Sequence, residues 1–82
     1  MIYGVYAIKD AKTTFMPANC DYNDASAIRN FEHACSDNTS LMQSHAKDFT
    51  LWRLGVYDNE TGIITPEVPA VQLADGASVV KE

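Results

Sequence analysis

Hydrophobic positions along the chain cluster in four short runs, and each run predicts a β-strand. The runs are rich in β-branched and aromatic residues, and polar or proline-containing segments end them. They cover residues 2–8, 13–16, 49–57 and 63–65. The run at 49–57 is the longest of the four and gives the strongest strand signal.

A fifth segment changes the period of its apolar residues to that of an α-helix. Within residues 21–37 the apolar side chains form one helical stripe, which comprises Ala27, Ile28, Phe31, Ala34 and Cys35. Asn23 or Asp24 can cap this helix, because their side-chain oxygens accept hydrogen bonds from free backbone N–H groups. Residues 40–42 indicate a short helical turn, and residues 43–47 indicate a loop into the third strand.

Turn residues join the strands into two predicted hairpins. The polar segment 9–12 turns the first strand back, and Pro17 limits the second strand because proline lacks a backbone N–H. Residues 58–62 form the second loop, in which Gly62 can adopt the left-handed conformation that closes a hairpin. Pro66 then ends the return strand in this prediction.

The element order β-β-α-β-β predicts an α+β fold with a four-stranded antiparallel sheet and one main helix. With 82 residues the chain has room for one domain, which we place at residues 1–66. Residues 67–82 predict a C-terminal tail that is partly mobile, because apolar residues are sparse there and small residues are frequent. No run approaches the roughly 20 apolar residues of a membrane-spanning helix, so no membrane partner is expected.

Both faces of the predicted sheet are apolar. Strict alternation places Tyr3 and Tyr6 on opposite faces of the first strand, and Trp52 and Tyr57 on opposite faces of the third. One helix covers one face, so the other must meet the tail, close on itself as a small barrel, or pack against another chain. We favour a homodimer, because two-fold association is the commonest oligomer and enlarges a small core.

The charge of the chain excludes a protein that wraps nucleic acid electrostatically. Eleven Asp and Glu residues against six Lys and Arg give a formal net charge of −5. Such binders carry a basic surface, so a nucleic-acid site in this chain must be local. Two cysteines, Cys20 and Cys35, are too few for a disulfide-stabilised secreted domain, which favours reduced thiols in a cytoplasm.

Residues that could carry catalysis or hold a metal form no recognisable motif. Cys20, His33, Cys35 and His45 are the soft or imidazole ligands, and their spacing fits no zinc-binding pattern. Cys35 lies on the apolar helical stripe, where a buried thiol is expected rather than a nucleophile. The acidic residues fall in turns and on exposed helix positions, and the glycines form no phosphate-binding loop. We therefore expect no enzymatic activity, no metal and no cofactor.

Aromatic residues and a few cations on the strands form a candidate surface for base stacking. Stacking of a base on an aromatic ring is worth roughly 1–3 kcal/mol and needs only flat rings beside cations. The candidate nucleic-acid-binding residues are Lys9, Lys12, Trp52, Arg53 and Tyr57. Composition alone favours the alternative, in which the rings are core and the cations are solvated. Arg53 distinguishes a binding surface from a closed core, because a cation inside a strand lies near a ligand or an interface unless it pairs with an acid.

Three segments of the chain give a close resemblance to a known family. They are residues 2–10 (IYGVYAIKD), residues 23–31 (NDASAIRNF) and residues 47–58 (KDFTLWRLGVYD) running into 60–62 (ETG). In these segments the chain resembles the small nonstructural protein of gokushovirus-type microviruses, which are phages with circular single-stranded DNA genomes.

The resemblance implies a DNA-binding factor that diverts replication from duplex forms toward single strands destined for the capsid. The resemblance identifies no catalytic residues, and it makes the segment 52–53 a better candidate for contact with DNA. We therefore expect a homodimeric or higher-order phage protein in the host bacterial cytoplasm that binds single-stranded DNA through its sheet. The alternative is an acidic adaptor that engages procapsid or replication proteins through the uncovered apolar face, with no DNA contact.

Overall fold

The computed structural model describes residues 1–37, residue 39 and residues 41–79, and it arranges them as a sheet with helices. The strands are β1 (Ile2–Asp10), β2 (Asn19–Asp21), β3 (Phe49–Asp58) and β4 (Ile63–Asp75). The helices are α1 (Asp24–Ser36), α2 (Leu41–Ser44) and α3 (Gly76–Val79), and a 3₁₀ turn at Ala46–Asp48 leads into β3.

The four strands form one antiparallel sheet in the order β2-β1-β3-β4. This arrangement confirms the predicted α+β fold with a four-stranded antiparallel sheet and one main helix. The sheet is open, with β2 and β4 at its edges. The alternative of a small closed barrel is wrong, because β2 spans three residues and is too short to close the sheet onto β4.

The strand that follows β1 in the chain and pairs with it, β2, lies further along the sequence than the predicted strand at 13–16. In that segment an isolated bridge joins Lys9 to Phe15, and Met16 N donates to Ile8 O at 2.7 Å. Pro17 has no backbone N–H, so regular pairing resumes only after it, in β2. The predicted second strand is therefore misplaced along the sequence.

The second hairpin has the predicted loop. Gly62 has a φ of 77°, and its N–H donates to Asp58 O at 2.8 Å. This φ lies in the left-handed region, which glycine adopts without the steric cost that a side chain brings.

β4 continues beyond Pro66, where the return strand is predicted to end. Pro66 lies opposite Gly55, and pairing resumes at Val71, so residues 67–70 form an irregular four-residue bulge opposite Leu54. The predicted strand end is wrong, because β4 is an edge strand, and edge strands and bulges tolerate prolines. Residues 67–79 of the predicted tail lie in β4 and α3. Residues 80–82 of that tail lie outside the described residues.

Helix α1 packs its apolar stripe against one face of the sheet, as predicted. Asn23 caps the helix, since its side chain accepts a hydrogen bond from Ser26 N at 2.8 Å. The buried core comprises Tyr6, Ala27, Phe31, Cys35, Met42, Phe49 and Leu51. Leu73, Ala74 and Val79 pack partly against this core, so the C-terminal segment contributes to it.

The segment between α1 and β3 is more helical than predicted. α2 extends to Ser44, and the 3₁₀ turn replaces much of the predicted loop. Met42 and Ala46 are buried, and the apolar area that they remove from water holds this segment against the core.

A β-bulge in β3 changes which residues share a face. Leu54 is an extra residue between two positions of β3 that pair with consecutive residues of β1. Trp52 lies opposite Ala7 and Tyr57 lies opposite Tyr3, so Trp52 and Tyr57 share a face. The prediction that they lie on opposite faces is therefore wrong.

The face of the sheet that carries Trp52 is not covered by the described helices, and we call it the open face. The described helices contribute Phe31, Met42 and Val79 to the core on the other face. The open face carries Tyr3, Val5 and Lys9 of β1 and Thr50, Trp52 and Tyr57 of β3, together with Ala7, which is buried. An uncovered face of this composition is available to a ligand or to another protein.

Candidate nucleic-acid interface

One end of the open face carries two aromatic rings beside a lysine. The indole N–H of Trp52 donates to Thr50 Oγ1 at 2.8 Å, which orients the ring. Phe15 packs edge-on against Trp52, with the ring centroids 6.0 Å apart. Lys9 Nζ lies 5.2 Å from the Phe15 centroid and 5.7 Å from the Trp52 centroid. We call these three residues, Lys9, Phe15 and Trp52, the Trp52 cluster. The cluster combines a cation–π arrangement with accessible ring surface.

Three exposed lysines lie around this end of the sheet. Lys9 is near the end of β1, Lys12 is in the turn that follows, and Lys47 is in the 3₁₀ turn. Ala11 N donates to Asp48 O at 2.8 Å, so the two turns lie side by side. The end of the sheet that carries the Trp52 cluster therefore also carries three exposed lysines.

The other end of the open face carries three tyrosines, which we call the tyrosine cluster. The Tyr3 and Tyr57 rings lie with centroids 6.4 Å apart and planes 22° apart. The Tyr22 ring lies 5.7 Å from the Tyr3 ring at 47°. With Cys20 and Asp21, the tyrosines line a cleft of about 300 Å³. Tyr22 is 65% exposed, so the cleft is accessible from solvent.

Arg53 lies on the helix-facing side of β3 and connects several elements. Its Nε and Nη2 donate to the Glu67 carboxylate of β4 at 2.6 and 3.0 Å. Its Nη1 donates to Asp24 Oδ2 in the first turn of α1 at 2.5 Å. Tyr6 OH of β1 donates to Asp24 Oδ1 at 2.7 Å. We call the group of Tyr6, Asp24, Arg53 and Glu67 the Arg53 clamp. Its hydrogen bonds connect α1 to β1, β3 and β4.

Hydrogen bonds and burial shift the pKa values within the Arg53 clamp. The hydrogen bond from Arg53 lowers the pKa of Glu67. Burial raises the pKa of Tyr6, and the hydrogen bond to Asp24 raises it further. The hydrogen bond to Glu67 raises the pKa of Arg53. Arg53 and Glu67 are therefore charged, and Tyr6 is neutral, across the physiological pH range.

The structure brings some of the five candidate residues together and separates the others. Lys9 contacts Trp52, and Lys12 lies in the adjoining turn. Tyr57 shares their face but lies at its other end. Arg53 lies on the opposite face and pairs with Asp24 and Glu67. For a cation inside a strand, pairing with an acid was the alternative to contact with a ligand.

The five candidate residues do not include Tyr22 or Lys47. They also leave out Tyr3 and Phe15, which belong to the strand aromatics that suggested a stacking surface. Phe15 reaches Trp52 because of the isolated bridge to Lys9, and hydrophobic periodicity does not detect an isolated bridge. Tyr22 follows a strand whose position was itself mispredicted. Lys47 precedes the strongest predicted strand, but its place beside the first turn follows from the pairing of β1 with β3.

In the part of the chain that the structure describes, no group of three or more His, Cys, Asp or Glu side chains could hold a metal ion. Cys20 is exposed and Cys35 is buried, and burial raises the pKa of the Cys35 thiol. Among the same residues, no helix is long and apolar enough to cross a membrane.

The fold and the two aromatic clusters define a class: a small α+β domain with its helices on one side of an antiparallel sheet and an aromatic face on the other. The model of the Phage ORF5 protein family matches residues 3–79. The match covers nearly the whole chain, so the chain belongs to this bacteriophage family. Comparison with curated proteins and with solved structures gives no match.

Proposed function

We propose that this phage protein binds single-stranded DNA through the Trp52 cluster on the open face of its sheet. The observation that carries the proposal is Lys9 beside two accessible rings, Phe15 and Trp52, on a face that the described helices leave uncovered. Rings and cations in this arrangement suit unpaired bases, because every base has a π-face and a neighbouring phosphate.

In the proposed complex, bases stack on Phe15 and Trp52 while Lys9, Lys12 and Lys47 neutralise nearby phosphates. Stacking is indifferent to base identity, so we propose binding with little sequence preference. Arg53 takes a structural role in this proposal, because its guanidinium is already held by two carboxylates on the other face.

Membership of a phage family supports a role in the phage life cycle. Together with the resemblance to gokushovirus-type microviruses, it leads us to propose that binding supports genome replication or the change to packaging single strands. The protein acts in the host bacterial cytoplasm in this proposal, as a binding protein without catalytic activity.

Electrostatics limit the strength of this binding. The net charge of −5 opposes approach of DNA at long range, and Asp10 and Asp48 accompany the three lysines locally. Three neutralised phosphates give a slope of log K against log salt of roughly −2, from about −0.7 for each phosphate contact on a single strand. We therefore expect binding that weakens steadily with salt and keeps a stacking contribution at moderate salt.

Titration with an oligothymidylate, followed by Trp52 fluorescence at several salt concentrations, tests the proposal. Binding is expected to quench the Trp52 signal to saturation. Phe15→Ala is expected to weaken binding by roughly 5-fold to 150-fold, which corresponds to the 1–3 kcal/mol of one stacked base. Lys9→Gln is expected to make the salt slope shallower by about 0.7.

Arg29→Gln is the matched control, because Arg29 is an exposed cation on α1. It is expected to leave the salt slope unchanged. A wild-type protein that gives neither quenching nor a mobility shift at low salt contradicts the proposal. Equal effects of Lys9→Gln and Arg29→Gln on the slope also contradict it, since charge would then act without regard to the open face.

A second candidate function, an interaction adaptor, is favoured by exposed apolar side chains on β4, the edge strand of the β3–β4 hairpin. We call these side chains the hairpin patch: Ile63, Ile64 and Val68. We propose that a second copy of the chain packs on this patch to form a homodimer. In the adaptor alternative, a procapsid or replication protein occupies it instead.

Sedimentation equilibrium of the wild type and of the double variant Ile63→Ser, Val68→Ser separates these occupants. A second copy predicts a dimeric wild type and a monomeric variant, with Leu41→Ser as a control of similar exposure on α2. A wild type that is monomeric at all concentrations overturns the homodimer. The same result, together with no binding of single-stranded DNA, favours the adaptor.

A further inference from the structure

The tyrosine cluster lies on the same face as the Trp52 cluster but at the other end of β1. Tyr3 and Tyr57 face each other across β1 and β3, and Tyr22 closes the side next to β2. The described helices pack on the other face, and the cleft that these rings line is open to solvent. The three rings therefore form a second aromatic surface separate from the Trp52 cluster.

We infer that the tyrosine cluster is a second base-stacking subsite, so that one single strand of DNA crosses the open face and contacts both clusters. This inference rests on the proposed function, because it requires that single-stranded DNA binds the Trp52 cluster. Nothing else in the proposed function requires the tyrosines.

The distance between the clusters sets the length of DNA that can reach both. Trp52 lies opposite Ala7, and Tyr57 lies opposite Tyr3, so the two rings are four residues apart along β1. At about 3.3 Å per residue this separation is roughly 13 Å. A stacked strand advances about 3.4 Å per nucleotide and covers that distance in roughly four nucleotides, and an extended strand covers it in fewer.

The charge around the two subsites differs. Lys9, Lys12 and Lys47 lie at the Trp52 end, whereas the described residues that line the tyrosine cleft include no lysine or arginine. With no cation among these residues to neutralise a phosphate, the tyrosine subsite contributes through the base and not through the backbone. Losing the tyrosine subsite should therefore lower affinity without changing the salt slope, whereas losing Lys9 should change the slope.

A series of oligothymidylates from about two to about ten nucleotides tests how affinity depends on DNA length and how the charge differs between the two subsites. For the wild type, affinity is expected to rise in a step once the oligomer reaches roughly four nucleotides. The step is expected to be roughly 5-fold to 150-fold, the value of one more stacked base. Below that length, the oligomer contacts only the Trp52 cluster.

Tyr22→Ala is the main variant, because Tyr22 is exposed and its removal leaves the core intact. It is expected to remove the affinity step and to leave both the binding of short oligomers and the salt slope unchanged. Tyr22→Phe keeps the ring and is expected to keep the step. Leu41→Ala is the matched control, because Leu41 is 64% exposed and lies on α2. Tyr57→Leu, which keeps apolar volume but removes the ring, is expected to reproduce the loss.

The outcomes separate the inference from the proposed function. Binding at all lengths that is insensitive to Tyr22→Ala and Tyr57→Leu overturns the second subsite and leaves the Trp52 cluster standing. An equal loss for Tyr22→Phe and Tyr22→Ala also overturns it, since stacking would then not be the cause. No binding at any length overturns the proposed function and the inference with it.

Discussion

The Arg53 clamp makes a sharp prediction for the substitution Tyr6→Phe. Tyr6 is 2% exposed, and its hydroxyl donates to Asp24 Oδ1 at 2.7 Å. Phenylalanine keeps the ring in the core and removes only this hydrogen bond. The substitution therefore measures what the clamp adds to the attachment of α1 to the sheet.

The expected cost follows from the geometry of the lost bond. A hydrogen bond to a charged group contributes about 1.5–3 kcal/mol to stability. The Asp24 side chain is 43% exposed and keeps Arg53 as a partner, so it remains satisfied when the hydroxyl is lost. We therefore expect Tyr6→Phe to lower the free energy of unfolding by about 1–2 kcal/mol. A domain of this length has roughly 4–12 kcal/mol in total, so the loss is readily measured.

Urea unfolding followed by circular dichroism provides the assay, with Tyr22→Phe as the matched control at an exposed position. The midpoint is expected to fall for Tyr6→Phe at an unchanged m-value, and to stay constant for Tyr22→Phe. Because folding raises the pKa of Tyr6, its contribution is complete below about pH 10 and is lost as the pH rises further. Equal midpoints for wild type and Tyr6→Phe at neutral pH would show that the hydrogen bond from Tyr6 to Asp24 does not stabilise the fold.

Three further substitutions test the clamp and the elements that it joins. Arg53 lowers the pKa of Glu67, so the Glu67 carboxylate stabilises the fold above its ordinary pKa and this contribution disappears as the pH falls through the lowered value. Glu67→Gln is expected to show a smaller loss of urea midpoint between neutral and acidic pH than the wild type. Gly4→Ala is expected to destabilise by about 1–3 kcal/mol in the same assay, because a Cβ at Gly4 collides with the buried Tyr6 ring. Asn23→Ala removes the cap of α1 and is expected to cost about 0.5–2 kcal/mol, with a loss of thermal stability seen by calorimetry.

Local patterns predicted the main elements of this fold because each carries its own signal. The stripe that includes Phe31 and Cys35 gave α1, and Asn23 was one of the two predicted caps. The run at 49–57 gave β3, and Gly62 has the positive φ that the hairpin loop requires. Such signals depend on residues a few positions apart, which a single sequence displays directly.

Long-range pairing could not be predicted in the same way. The extra residue Leu54 reverses the alternation of β3, and it brings Tyr57 to the face of Trp52. A bulge is set by the pairing of β3 with β1 and leaves no mark in the hydrophobic pattern of β3 alone. The continuation of β4 past Pro66 is similar, because an edge position is known only once the strand order is known.

In the candidate site, too, local residue types could be predicted from the sequence and long-range partners could not. Lys9, Lys12 and Trp52 were predicted from residue type, and the structure places them at one end of the sheet. Arg53 was ambiguous, because its acidic partners Asp24 and Glu67 are distant in sequence. Sequence reasoning therefore identified the chemistry of the surface better than it identified which side chains are free to use it.

Side-chain NMR during titration with an oligothymidylate tests most directly whether single-stranded DNA binds the open face. If single-stranded DNA binds this face, the signals of the Trp52 indole and of the Phe15 and Tyr22 rings are expected to shift to saturation. The ring signals of Phe31, a residue of α1 that is buried in the core on the helix side, should remain in place. Shifts confined to residues of the helical side, or no shifts at low salt, would contradict binding at the open face.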